Sequence, residues 1–100
     1  MQDFLYRLQL VRGDMLVTGP TASEQAVMAE HFAYLKALAE QGVIILVGRT
    51  MIPDEHAMGL AIFRAESEDA ARRIMHGDPA VQKAVMTATL YPFKVVLRGN

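Results

Sequence analysis

The chain carries three histidines and no cysteine, so thiolate chemistry is excluded and the histidines are the first candidates for proton transfer near neutrality. His31 is the histidine whose position needs explaining. It lies in Ser23–Gly42, SEQAVMAEHFAYLKALAEQG, where Met28, Phe32, Leu35, Leu38 and Ala39 recur at helical spacing. At about 100° per residue, His31 falls inside that apolar stripe, between the lines of Leu35 and Leu38. The outward arc is small or charged: Ala26, Ala29, Glu30, Ala33, Lys36, Ala37 and Glu40. Such a helix needs no imidazole inside for stability. Two readings follow. One is a core-edge histidine bonded to a backbone carbonyl, the commoner case when His31 is taken alone. The other is a general acid or base in a pocket at the helix–sheet boundary, since imidazole both takes and gives a proton near neutrality.

Asp78 is the second candidate. Asp before Pro79 reads first as a helix N-cap. A capping carboxylate keeps lone pairs free. One aimed at His31 would fix the ring's tautomer and favour its protonated form. His56 falls in a polar loop, and His76 in the last turn of a helix, where a cation suits the dipole. The histidines show no HxH or HxxxH spacing, so no metal site is expected. Arg49, at the exit of a strand, reads as a rim residue and as the nearest cation for an acidic substrate. Tyr6, Tyr34 and Tyr91 read mainly as packing, with one of them able to lend a hydroxyl to a pocket, and the methionines as gap-filling core. There is no P-loop, GxGxxG, GxSxG or EF-hand loop, so no cofactor is expected.

The elements that must position these residues run in a simple order. Phe4–Val11 alternates and predicts a first strand. Arg12–Pro20 is a loop marked by Gly13, Gly19 and Pro20, and Met15, Leu16 and Val17 give it a side to pack. The His31 helix follows, with Thr21 as first choice of N-cap and Ser23 as second. Thr21 and Glu24 make a capping-box pattern, and Gly42 stands at C′. Val43–Val47, VIILV, predicts a strand covered on both faces. Pro53–His56 is a hairpin loop, and Met58–Ala65 a third strand. Ser67 caps a second helix ending at Gly77. Asp78-Pro79 starts a short third helix over DPAVQKAVM. Thr89–Leu97 is the last strand, with Pro92 at an edge or bulge.

The order β-α-β-β-α-(short α)-β over residues 1–100 predicts one domain of α+β class. The arrangement is a ferredoxin-like antiparallel sheet with both long helices on one face. Both faces of that sheet look apolar: Leu5, Val11, Ile44, Leu46 and Phe63 as one set, Tyr6, Leu8, Leu10, Ile45 and Ile62 as the other. A bare apolar face predicts a homodimer packed sheet to sheet. Net charge is −1 and the basic residues are scattered, which argues against a nucleic-acid partner. No apolar run approaches the ~20 residues of a membrane span, and the N-terminal stretch lacks signal-peptide character. A cytoplasmic location is expected.

Several short motifs, taken in order, resemble the YCII-related (YciI-like) family. They are His31-Phe32-Ala33-Tyr34-Leu35 with Leu38 and Gly42, a strand ending at Gly48, Phe63-Arg64-Ala65 with Ser67-Glu68-Asp69-Ala70-Ala71, Gly77-Asp78-Pro79, and Tyr91-Pro92-Phe93-Lys94. Each is weak alone; together they span nearly the whole chain. The resemblance implies a ferredoxin-like fold, a dimeric α/β-barrel assembly, and an active site of a helix histidine and an Asp-Pro aspartate, which map onto His31 and Asp78. It also implies lyase-type chemistry, by way of members linked to chlorinated hydroquinone breakdown. Where the family often has Gly-Pro after the second strand, this chain has Gly48-Arg49, which alters the pocket rim.

The leading expectation is a cofactor-independent enzyme running a lyase or isomerase proton transfer on a small, aromatic or lactone-like substrate through His31 and Asp78, with Arg49 as a substrate ligand. The alternatives are a non-catalytic metabolite-binding or accessory dimer, and a structural dimer in which His31 is a satisfied core residue.

Overall fold

The alternation of β1 (Gln2–Leu10) sends Phe4, Tyr6 and Leu8 inward, at 1%, 0% and 3% exposure. The computed structural model describes residues 1–99. After β1 come α1 (Met15–Thr18), α2 (Ala22–Glu40), β2 (Ile44–Arg49), β3 (Gly59–Ala65), α3 (Glu68–Gly77), α4 (Pro79–Gln82) and β4 (Met86–Phe93). The strands form one sheet in the order β2-β3-β1-β4, antiparallel at every pairing. This is the ferredoxin-like α+β fold. The two long helices, α2 and α3, pack on the same sheet face, where Leu35, Ala71 and Met75 join Phe4, Tyr6, Leu8 and Phe63 in a single core. Tyr6 meets Phe63 edge-on at 5.5 Å between ring centroids, a geometry that aromatic quadrupoles favour.

Local signals set most helix ends. Thr21 caps α2 and forms the full capping box with Glu24. Gly42, at φ +79°, supplies the left-handed residue after the helix. Ser67 caps α3 by accepting from the Ala70 N–H. Among the described residues no helix is long and apolar enough to cross a membrane.

Several expectations need correcting. The loop 12–20 contains the one-turn helix α1, whose Met15 is buried. The inward line of α2 is Val27, His31 and Leu35. Phe32 is 68% exposed, and Ala39 is exposed as well. His31 and Leu35 stay on the inward line as expected, Val27 joins them, and Met28 and Phe32 line the cavity instead. The strand expected to be covered on both faces is an edge strand, with Leu46 52% and Val47 46% exposed. The short third helix stops at Gln82, with Ala84 at φ 56°. The last strand therefore begins earlier than expected, at Met86, and ends at Phe93. Pro92 sits on the outer edge strand, where a missing N–H breaks no ladder.

The face assignments also change. Phe63 pairs with Phe4 and Ile44 and so lies on the helix-covered face, whereas Ile62 pairs with Leu5 and Leu46 on the bare face. A bulge between Ile44 and Leu46 puts an extra residue into β2. Period-two counting across the bulge cannot keep the faces in step.

Candidate active site

Asp78 occupies a one-residue junction between two helices. Its N–H donates to the Met75 carbonyl as α3 ends, and its side chain caps α4 by accepting from the Ala80 N–H at 3.0 Å. Pro79 in the first turn of α4 fixes that start. The junction lies deep in the fold, and Asp78 is fully buried. A carboxylate there needs partners on every side, and it has them. Oδ2 accepts from the Tyr6 hydroxyl at 2.9 Å. The His31 Nδ1 lies 2.7 Å from Oδ1 and 2.8 Å from Oδ2.

Close helix packing brings these residues together across 47 positions of sequence. The Tyr34 hydroxyl donates to the Ile74 carbonyl at 2.8 Å, tying α2 to the last turns of α3. A Cβ at position 77 would stand 2.7 Å from that hydroxyl, so glycine there admits the approach. His31 lies about one turn before Tyr34 on α2, and Asp78 follows Gly77.

Hydrogen-bond logic assigns the imidazole. Asp78 already accepts from Tyr6 and Ala80, and a carboxylate only accepts. The hydrogen between it and the ring therefore sits on Nδ1. In the neutral ring Nε2 carries the lone pair. Nε2 has no partner among the described residues and is not sealed from solvent. His31 instead lines a cavity of about 820 Å³. Burial pushes the Tyr6 phenol up, and the Asp78 charge and hydrogen bond push it further. Tyr6 thus stays a donor. The Tyr34 phenol is raised as well, by burial first and then by the Asp78 charge.

The cavity lies between α2 and the helix-facing side of the sheet, walled by Leu8, Leu35, Val47 and Met86 and roofed by Leu16 and Ile52 from the two loops. Its polar lining is sparse: His31, Arg49, Gln25 and Thr50 are the groups with polar side chains. Arg49 closes β2 opposite Gly59 and is the one permanent cation of the wall. Arg12 clamps the loop carrying α1. It grips Glu24 with Nη2 at 2.6 Å and Nε at 3.1 Å, and it reaches Asp14, Thr18 and the Gly19 carbonyl. The Arg12 hydrogen bonds, then the Thr21 N–H, hold the Glu24 carboxyl at about 2.

Of the residues singled out from sequence, the fold joins His31 to Asp78 and sets Arg49 in the same cavity. It leaves His56 and His76 exposed and apart. Asp54, Glu55 and His56 come within metal-ligand spacing on the exposed hairpin loop. Sequence reasoning missed two contributors. Tyr6 read as packing, because a strand tyrosine gives no sign of a carboxylate across the sheet. The Arg12 clamp spans 12 positions and follows no local spacing rule. The methionines expected in the core divide: Met75 is core, Met15 is buried and Met86 packs on the core while both also line the cavity, and Met28, Met51 and Met58 line the cavity.

The model of the YCII-related domain matches residues 8–94. Among solved structures, the chain is similar to TftG from Burkholderia phenoliruptrix AC1100, a 5-chloro-2-hydroxyhydroquinone dehydrochlorinase, at 21% identity and TM-score 0.67, covering 92% of this chain and 93% of that one. An uncharacterised protein from Thermotoga maritima superposes at 14% identity and TM-score 0.57, covering 92% and 95%. SnoaB from Streptomyces nogalater, a cofactor-independent oxygenase, does so at 15% identity and TM-score 0.52, covering 99% and 100%. No curated protein sequence matches the chain.

Proposed function

The chain belongs to the YCII-related domain family, and from that premise we propose that it is a small-molecule enzyme in which His31 moves a proton and Asp78 orients and charges the imidazole. The carrying observation is the pair itself: both Asp78 oxygens lie within 2.8 Å of Nδ1, while Nε2 is left free at the wall of a cavity of about 820 Å³. Nε2 takes a proton from the substrate. The resulting imidazolium is stabilised by the buried carboxylate, which the Tyr6 hydroxyl and Ala80 N–H hold in place. The proton returns to another atom in an isomerisation, or the electron pair expels a leaving group in an elimination. TftG, which shares the fold, is named for a dehydrochlorination, a loss of HCl of this second kind. Transfer of this sort needs only side chains. Arg49 is the proposed ligand for an acidic group on the substrate.

The test is a screen of small aromatic, lactone and halogenated acids for turnover and for deuterium uptake from solvent. His31→Ala should lower turnover about 10²- to 10⁴-fold. Equal turnover by the variant would remove His31 from the mechanism, and tight binding without turnover by the unaltered protein would make the chain a metabolite-binding module.

We also propose a homodimer closed over the bare sheet face. Leu5, Leu46, Ile62 and Tyr91 form an apolar band straight across that face. Leu46 is 52% and Tyr91 41% exposed. Beside the band, Arg7 keeps a buried Nε without a partner. A monomer by light scattering at micromolar concentration would overturn this.

A further inference from the structure

Five of the seven methionines, Met15, Met28, Met51, Met58 and Met86, line the one cavity that holds His31 and Arg49. Core packing accounts for only part of this: Met75 belongs to the core, Met86 packs against it and Met15 is buried, whereas Met28, Met51 and Met58 have no place in it. Methionine side chains are unbranched and polarizable. They rearrange around a ligand and make favourable sulfur–aromatic contacts. They also come from every wall: α1, α2, the loop after β2, the approach to β3 and the start of β4. A single benzene ring fills a site of about 150 Å³, under a fifth of the roughly 820 Å³ present. The volume is that of a drug-sized ligand site. Ionisable side chains are confined to two places, His31 on the helix wall and Arg49 on the sheet wall. Arg49 has no ion pair or side-chain hydrogen bond among the described residues.

From these observations we infer that the cavity takes a planar aromatic acid of two or three fused rings, its rings held among the five methionines and its acidic group on Arg49. The inference rests on the reading above only in taking this cavity as the substrate site. Binding requires no chemistry at His31. A ligand seated this way shares the cavity with His31.

The full chain labelled with ¹³C at the methionine methyls provides the test, with anthracene-2-carboxylate as probe. The acid should shift the methyls of Met15, Met28, Met51, Met58 and Met86 upfield by ring currents and leave Met1 and Met75 in place. Arg49→Gln should weaken the acid at least tenfold while changing the affinity for anthracene-2-methanol less than twofold. The methyl spectrum of the unliganded variant reports whether the fold is kept. Shifts that include Met75 and Met1 equally, equal loss of acid and alcohol in Arg49→Gln, or cyclohexanecarboxylate binding as tightly as the anthracene acid would each overturn the inference. Absence of anthracene-2-carboxylate binding beside His31-dependent turnover of another compound would overturn it and leave the proposed proton transfer standing.

Discussion

Among the described residues two aspartate–histidine pairs have the same atoms in contact and opposite surroundings. Asp54 meets His56 at 3.2 Å on the hairpin loop, with side chains 48% and 76% exposed. Asp78 meets His31 at 2.7 Å, with side chains 0% and 11% exposed. The first pair is made by two residues of one turn, and water solvates both partners. The second closes a separation of 47 residues, and its carboxylate has only protein to satisfy it. In water such a pair is worth little, because the solvent competes for each charge. Enclosed, its orientation is fixed by the hydrogen bonds around the carboxylate, and no solvent competes for it. The proposed chemistry is therefore assigned to the enclosed pair, although the loop pair is the easier one to see in the sequence.

Four measurements would break or sharpen this contrast. The largest effect is expected from Asp78→Ala. It strands the Tyr6 hydroxyl, the Ala80 N–H and the His31 Nδ1–H in a dry site, and should lower stability in urea unfolding by about 3–5 kcal/mol. A loss below 1 kcal/mol by that assay would make the two pairs equivalent. Next comes Tyr6→Phe. The ring keeps its packing on Phe63, and one hydrogen bond to a charged group is lost, a change of about 1.5–3 kcal/mol. An unchanged denaturation midpoint would show that Ala80 and His31 suffice to hold Asp78.

A pair of intermediate character, Arg12–Glu24, gives a pH signature. Its Glu24 carboxyl is held at about 2, below the ordinary value of 4.5. The group is depressed in the folded state, so its contribution is fully present above about 4.5 and is lost as pH falls through about 2. The difference in unfolding midpoint between the unaltered chain and Glu24→Gln should be constant from neutrality to pH 5 and shrink below it. A constant difference down to pH 2 would show that the clamp acts through shape rather than charge. The smallest effect is expected at His56→Ala, within about 0.5 kcal/mol by the same unfolding assay. A larger loss would show that the loop pair has a structural duty its exposure hides.

Much of the fold is legible in the sequence, and for local reasons. Thr21, Ser67 and Asp78 cap helices through atoms two or three residues away, so spacing alone reveals them. The alternation of Phe4, Tyr6 and Leu8 reports a strand with one covered face. His31 stood out because imidazole interrupts an apolar line. The readings that failed depended on neighbours distant in sequence. VIILV looks like a central strand, yet it lies at the sheet edge. Phe32 looks like core, yet it stands at the mouth of a cavity. β4 was placed too late, because the turn at Ala84 carries no glycine to announce it.

By itself the sequence determined the order of the four strands and of the helices that start at Thr21, Ser67 and Asp78, and the histidine that interrupts an apolar stripe, since these rest on contacts within one turn or one pleat. Only the tertiary structure decided that His31 and Asp78 meet. Gly77 lets Tyr34 draw α2 against α3, and β1 delivers the Tyr6 hydroxyl from across the sheet. Burying Asp78 then leaves its charge no solvent to turn to, only His31, Tyr6 and the end of a helix.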